Sequence, residues 1–213
     1  RRVMMSKFQR SITLAMTGAS GAQYGLRLLE CIIQKGLKVH FLISDAARIV
    51  VASETDLDLP DDSELEEFLT LNFDAEPGQI VVSTSRDWFS SVASGSAAPQ
   101  SMVICPASGG TISAIASGAS NNLIERAADV AIKERYQLVV VPRETPLSEI
   151  HLENMLKLAR LGVTILPASP GFYHDPEKIS DLIDFIVARV LDHLDISQDI
   201  VPRWGDDTGN LKH

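Results

Sequence analysis

An α/β fold, a mainly parallel sheet sandwiched between two layers of helices, is what the sequence predicts, on three observations. Apolar runs at 11–17, 38–43, 101–105, 137–142 and 163–167 have strand character. Their hydrophobicity is nearly continuous rather than alternating, as in strands buried on both faces. Most are followed by a stretch of helical period, the alternation of a doubly wound, Rossmann-like domain whose ligands gather beyond the carboxyl ends of the strands. With 213 residues, 45% of them hydrophobic, the chain can fill one substantial core, and no linker or repeat divides it.

Element by element, the run ending at Met16 enters the turn Thr-Gly-Ala-Ser-Gly and then an amphipathic helix over 20–35. Gly18 and Gly21 admit backbone that side chains would obstruct, and Ser20 adds a hydroxyl at the helix start. Backbone N–H groups and the positive end of the helix dipole would face an anion there, although the same turn also serves as an empty connection. The glycine spacing is not that of a dinucleotide fingerprint and the P-loop lysine is missing, so a mononucleotide phosphate is the better match. Further helices are expected over 44–54, 63–71, 109–117, 122–135, 148–161 and 176–194, with QIVVS at 79–83 as a shorter strand. Ser63 with Glu66 reads as a capping box, and Asp175 before Pro176 as a cap and first helical position.

Charge and cysteine content exclude several classes. Nineteen Lys and Arg against 28 acidic residues give a net charge of −9, which argues against a nucleic-acid or anionic-membrane surface. Cys31 and Cys105 lie in apolar contexts without metal or disulfide spacing, suiting buried thiols in a reducing cytoplasm. No apolar run approaches the roughly twenty residues of a membrane span. Residues 1–10 read as a disordered leader, 11–195 as the α/β domain and 196–213 as a C-terminal tail that packs on a neighbouring subunit.

The five carboxyl ends run into TGAS, Ser44, PASGGT, PRE and PASPGFY, small-residue and proline turns that point to a ligand rim. Ser108 and Thr111 in CPASGGT offer hydroxyls at a helix start, where a plain capped helix is the other reading. Arg126 and Lys133, seven apart, share a helix face and either bracket a phosphate or belong to a solvated face with Glu125, Asp129 and Glu134. Arg143 and Glu144 follow a buried strand directly and stand near the rim. His174 is the only histidine expected near that rim, and the histidines form no metal-ligand spacing. Trp88 and Trp204, in polar contexts, suit a subunit interface or a flat or cationic partner.

Taken together, TGASGAQYGLRLL, the segment from Cys105 through Glu134, LVVVPRETPLSEIHLENMLKLARLGVTILPASPGFY and the VPRWG tail resemble the flavin prenyltransferases, helpers of ubiquinone-pathway decarboxylases within a superfamily of homo-oligomeric flavin-binding proteins. The resemblance implies a metal-independent transfer of a dimethylallyl group from dimethylallyl phosphate to N5 and C6 of reduced FMN, the prenylated FMN passing to a partner decarboxylase. It also implies a homo-oligomer built from trimers, with a dodecamer as one such size, and sites between subunits. On this resemblance Gly18, Ala19, Ser20, Ser44, Ser108, Gly109, Gly110, Thr111 and Arg143 would bind FMN. Tyr173, Arg189, Lys133, Arg126 and Trp204 would bind dimethylallyl phosphate. Ser20, Glu54, Lys133, Glu144, Trp88 and Arg126 would do the catalytic work.

The chemistry fits those types. Breaking an allylic carbon–oxygen bond develops positive charge on the prenyl group and negative charge on the leaving phosphate, so cations are needed at one end and π faces at the other. Lys133, Arg126 and Arg189 suit the first task; Trp88, Tyr173 and Trp204 suit the second, with the small loop Ala93 to Gly95 leaving room for the isoalloxazine. Two other classes stay open: an FMN-dependent cysteine-type decarboxylase and a non-catalytic FMN carrier. The first is weakened because Gly110 replaces the asparagine of the related decarboxylases and no late flap cysteine occurs.

Overall fold

Six strands form one parallel sheet: β1 (Ser11–Met16), β2 (Lys38–Ile43), β3 (Ile80–Val82), β4 (Ser101–Ala107), β5 (Gln137–Pro142) and β6 (Thr164–Ile165). The computed structural model describes residues 7–202. Spatial order is β3-β2-β1-β4-β5-β6 and every pairing is parallel, so the chain reverses its direction of travel across the sheet between β1 and β4. A ligand crevice is expected at that switch point, beyond the carboxyl ends.

The helices are α1 (Ala22–Gln34), α2 (Asp45–Glu54), α3 (Asp62–Asn72), α4 (Gly109–Ala116), α5 (Leu123–Lys133), α6 (Glu149–Arg160) and α7 (Ile179–His193). Alternate strand residues feed two cores. Leu14, Met16, Val103 and Cys105 pack with residues of α1, α2, α3 and α7 on one face. Ala15, Leu42, Met102 and Ile104 pack with α4, α5 and α6 on the other. Both faces being covered accounts for the unbroken hydrophobicity of the strands, and each fully buried Leu or Ile contributes roughly 1.5–3 kcal/mol. Cys31 and Cys105 are free and buried, and desolvation pushes both thiols up.

Three local expectations are corrected. α3 is capped by position at Asp61, not by a Ser63–Glu66 box; the Glu66 carboxylate accepts the Val82 N–H at 2.9 Å, serving the exposed edge of β3. α7 starts at Ile179 rather than Pro176, because Asp175 sits at φ +54° and cannot cap. Asp181 takes over, accepting the N–H groups of Lys178 and Glu177 at 2.9 Å, which holds its carboxyl below the usual range. β6 is only two residues long; Leu166 and Ala168 still donate to Val140 and Pro142, but Pro167 between them has no N–H to give.

Of the expected leader, residues 7–10 are described, and the Arg10 guanidinium bonds Ser101 Oγ at 2.8 Å and the Leu194 carbonyl at 2.6 Å. At the other end Ile196 is buried in the α1/α7 core. Trp204 lies outside the described residues.

Candidate functional site

The crevice at the switch point is tied together by Thr17. Its buried hydroxyl donates to the Pro106 carbonyl at 2.9 Å and accepts the Ser108 N–H at 2.8 Å, while its own N–H donates to the same Pro106 carbonyl at 3.1 Å. The turns after β1 and β4 are thereby held as one surface. On the other side of β1, the Ser44 N–H donates to the Met16 carbonyl, and Ser44 caps α2 by accepting the Ala47 N–H at 3.1 Å. Gly18 lies so close to that first turn that a Cβ on it would stand 2.5 Å from the Ala46 Cβ. Ser108 caps α4 by accepting the Thr111 N–H at 3.2 Å, with the two hydroxyls 3.0 Å apart.

The start of α1 differs from the sequence expectation. Gly21 adopts φ +107°, a conformation that favours glycine, and the first N–H groups of α1 follow it. They meet a carboxylate of the protein itself: Glu54 Oε2, at the end of α2, accepts Gly21 N–H at 2.8 Å and Ala22 N–H at 3.1 Å. At this turn the Gly21 and Ala22 N–H groups are thus met by an internal carboxylate, while the α2 and α4 starts are capped by Ser44 and Ser108. Desolvation pushes the Glu54 carboxyl up, but the Ser20 hydroxyl, the two N–H groups and the Arg143 guanidinium together hold it below the usual carboxylate range.

Arg143 follows β5 onto the same rim. Its Nε is buried and has no hydrogen-bond partner within the described residues, a costly state for a guanidinium unless a ligand supplies the acceptor. Glu144, next to it, is exposed and lies near Gly109. So does His151, whose Nε2 would be 2.9 Å from a Cβ on Gly109. The histidine at the rim is thus His151 and not His174, whose ring lies 4.4 Å from that of Tyr173 in a separate cleft. Ser148, three residues before His151, was the available signal, because that spacing marks a capping position that places the ring.

The remaining candidates are not brought to this rim. Arg126 and Lys133 stand on the outer face of α5, where Arg126 pairs with Asp129 at 3.0 Å and Lys133 with Glu134 at 3.0 Å. Lys133 is at the end of α5 that leads into the start of β5, about 20 Å along the strand direction from the carboxyl ends. The loop of Ala93 to Gly95 is there too: the Gly95 carbonyl accepts the Tyr136 hydroxyl at 2.7 Å, and Glu134 crowds the Gly95 Cα. Within one chain that loop is held by Tyr136 and Glu134, away from the carboxyl ends where β1 meets the turn of Ser20. Trp88 is exposed in the loop between β3 and β4, next to a fully exposed Phe89.

Tyr173 and Arg189 do meet, on the opposite side of the sheet. They line a cleft of about 880 Å³ with Phe185, Asp192 and Gln198. The Tyr173 ring packs edge-on to Phe185 at 5.6 Å, and Arg189 reaches Asp192 at 3.4 Å. The cationic and aromatic groups expected to share one pocket therefore sit on both faces and both ends of the sheet. Among the described residues no group of three or more His, Cys, Asp or Glu is arranged to hold a metal, and no helix is long and apolar enough to cross a membrane.

Comparison with known proteins gives the family. The family model described as Flavoprotein matches residues 2–191. The flavin prenyltransferase UbiX of Pseudomonas aeruginosa is 63% identical over 196 residues, spanning 92% of this chain and 94% of that protein. The solved complex of AnUbiX (PadA1) with FMN and dimethylallyl pyrophosphate superposes with a TM-score of 0.82 at 39% identity, over 92% of this chain and 97% of that one. A dodecameric FMN-dependent UbiX-like decarboxylase from Escherichia coli O157:H7 follows at 0.80 and 35%, over 91% and 98%. On a shared parallel fold, matched nearly end to end, the chain belongs to the UbiX family of flavin prenyltransferases.

Proposed function

We propose that the protein transfers a dimethylallyl group from dimethylallyl phosphate to N5 and C6 of reduced FMN and hands prenylated FMN to a partner decarboxylase in the cytoplasm. The observation that carries the reading is the rim itself: Ser20, Glu54 and the partnerless buried Nε of Arg143 stand beside the Ser44 and Ser108 helix starts. That set fits FMN, with hydroxyls, first-turn N–H groups and the Arg143 Nε–H for its polar edge and phosphate, and Gly18, Ala19 and Gly109 to Thr111 as close-lying backbone.

Reduced FMN supplies the nucleophilic atoms. The protein's share is proton handling and charge. Because Glu54 is held as a carboxylate, the Ser20 hydroxyl donates to it, leaving the Ser20 lone pairs to accept from an N–H at flavin N5. A proton leaving that atom then has a path through Ser20 to Glu54. Glu144 is a second carboxylate on the same rim for the closing of the ring.

The leaving phosphate needs the cations of Arg126, Lys133 and Arg189, and the prenyl group the rings of Trp88, Tyr173 and Trp204. Arg126 and Lys133 lie across the sheet from Arg189, so only neighbouring copies can complete the site. Exposed apolar side chains suit such contacts: Leu152 and Leu156 on α6, Trp88 and Phe89, and Phe172. We assign a trimer-based assembly, a dodecamer like that of the E. coli relative; of the tail at 196–213, Ile196 and Ile200 pack on the chain's own core, and the part after them is assigned to a neighbouring subunit.

The test is anaerobic incubation with dithionite-reduced FMN and dimethylallyl phosphate, without added metal, followed by mass analysis of the extracted flavin. A flavin heavier by one prenyl unit is expected, and it should activate an apo-decarboxylase of the flavin-dependent class. Unmodified FMN from protein that binds it would leave a carrier or another decarboxylase. A monomer by light scattering with full turnover would overturn the shared site.

A further inference from the structure

His151 has no part in the chemistry above, yet it is built into the rim. It stands third in α6, after the N-cap Ser148. Its backbone N–H donates to the Ser148 hydroxyl at 3.2 Å, and its ring Nδ1 accepts the Ser148 N–H at 3.1 Å. This is a reciprocal cap in which Glu or Gln usually fills the third position. An Nδ1 that accepts carries no proton, so the ring proton sits on Nε2.

That Nε2 lies 2.9 Å, and Cδ2 3.2 Å, from the point a Gly109 Cβ would occupy; Glu144 Oε2 is 3.9 Å from the same point. The imidazole takes the space of a side chain on the first residue of α4, and the carboxylate flanks the same Cα. Their shared pocket is otherwise walled by Ala107, Ile112, Pro142, Leu147 and Met155, so His151 is the only side-chain donor lining it.

We propose that His151 is a positioning residue, which, by filling the space beside Gly109 with a ring that its reciprocal cap on Ser148 holds in place, sets where the first turn of α4 stands. The placement of a flavin on that turn rests on the transferase reading; the geometry of the imidazole does not.

Three measurements on the full chain test it. In ¹⁵N NMR of the His151 ring the Nε2–H tautomer is expected, and an Nδ1–H tautomer would overturn the proposal. His151→Gln keeps an acceptor for the Ser148 N–H but is too short to reach Gly109, whereas His151→Ala loses both. Thermal stability should therefore fall in Ala and return in Gln, while turnover at saturating dimethylallyl phosphate falls about tenfold in both with KM little changed. Wild-type turnover in His151→Gln would reduce the residue to a helix cap. Gly109→Ala should weaken FMN binding about tenfold, and by at least about threefold less when His151→Ala is also present, since the clash is with the ring. Additive losses would sink the packing argument. If FMN binds and no prenyl group is transferred, the transferase reading fails while the tautomer and the binding cycle still decide this one.

Discussion

Glu54→Gln separates structure from chemistry at the rim. The wild-type carboxylate accepts Gly21 N–H at 2.8 Å and Ala22 N–H at 3.1 Å, and the amide oxygen of Gln can take the same place without the charge. A hydrogen bond to a charged group contributes ~1.5–3 kcal/mol against ~0.5–1.5 for a neutral one, so the substitution gives up about 1 kcal/mol per bond. The lost charge at the α1 dipole adds ~0.3–1 kcal/mol. Glu54 is only half-buried, and solvent screening brings the whole to about 1–2 kcal/mol. Urea denaturation at neutral pH reads that loss. FMN binding should stay within about threefold, while prenyl transfer falls by a factor on the order of 10²–10⁴, the range of a lost general base. Stability has its own pH signature. The folded pKa is lowered, so the unfolded chain binds the proton first as pH drops. The contribution is complete above the ordinary value of about 4.3 and is lost as pH falls through the lower folded value. Glu54→Gln should remove that part of the acid transition. Full turnover would take Glu54 out of the mechanism, and unchanged stability would refute the account of the α1 start.

Other substitutions test the rest of the fold and site. Arg189→Ala should raise KM for dimethylallyl phosphate about tenfold or more with FMN affinity unchanged, the loss of one charge-assisted contact; equal loss of both would indicate misfolding. Thr17→Val strands the half-buried Ser108 N–H and should cost about 1 kcal/mol in urea denaturation, and a neutral result would show that the two turns are held by other means. His40 is pushed down to about 4 by burial and the nearby Lys38, so the unfolded chain takes up a proton near pH 6.5 that the folded one refuses. Stability should therefore decline as pH falls from about 6.5 towards 4, and less steeply in His40→Gln; parallel curves would remove His40 from the acid response.

The strands were legible because their signal is local and doubly enforced. Val139 and Val140 must both be apolar when the two faces are covered, and no helix-period reading accommodates such a run between turn residues. Ser44 and Ser108 were legible as helix starts because a cap needs only a hydroxyl and an N–H three residues on. The start of α7 was not. Asp175-Pro176 has the right local chemistry, but Asp181 competes for the first N–H groups and wins.

Residue types along the chain determined that this is a parallel α/β protein with its polar turns on one rim, since burial on two faces and small-residue turns are written in short windows; its long motifs carried the resemblance to the family. Tertiary structure alone decided that Glu54 fills the α1 start from 33 residues away, that Thr17 joins two turns 91 residues apart and that His151 lies on Gly109. It also decided that Lys133 and Arg189 lie on different faces of the sheet. These are pairings between distant segments, and no periodicity or spacing encodes which distant donor a given acceptor meets until the layers are stacked.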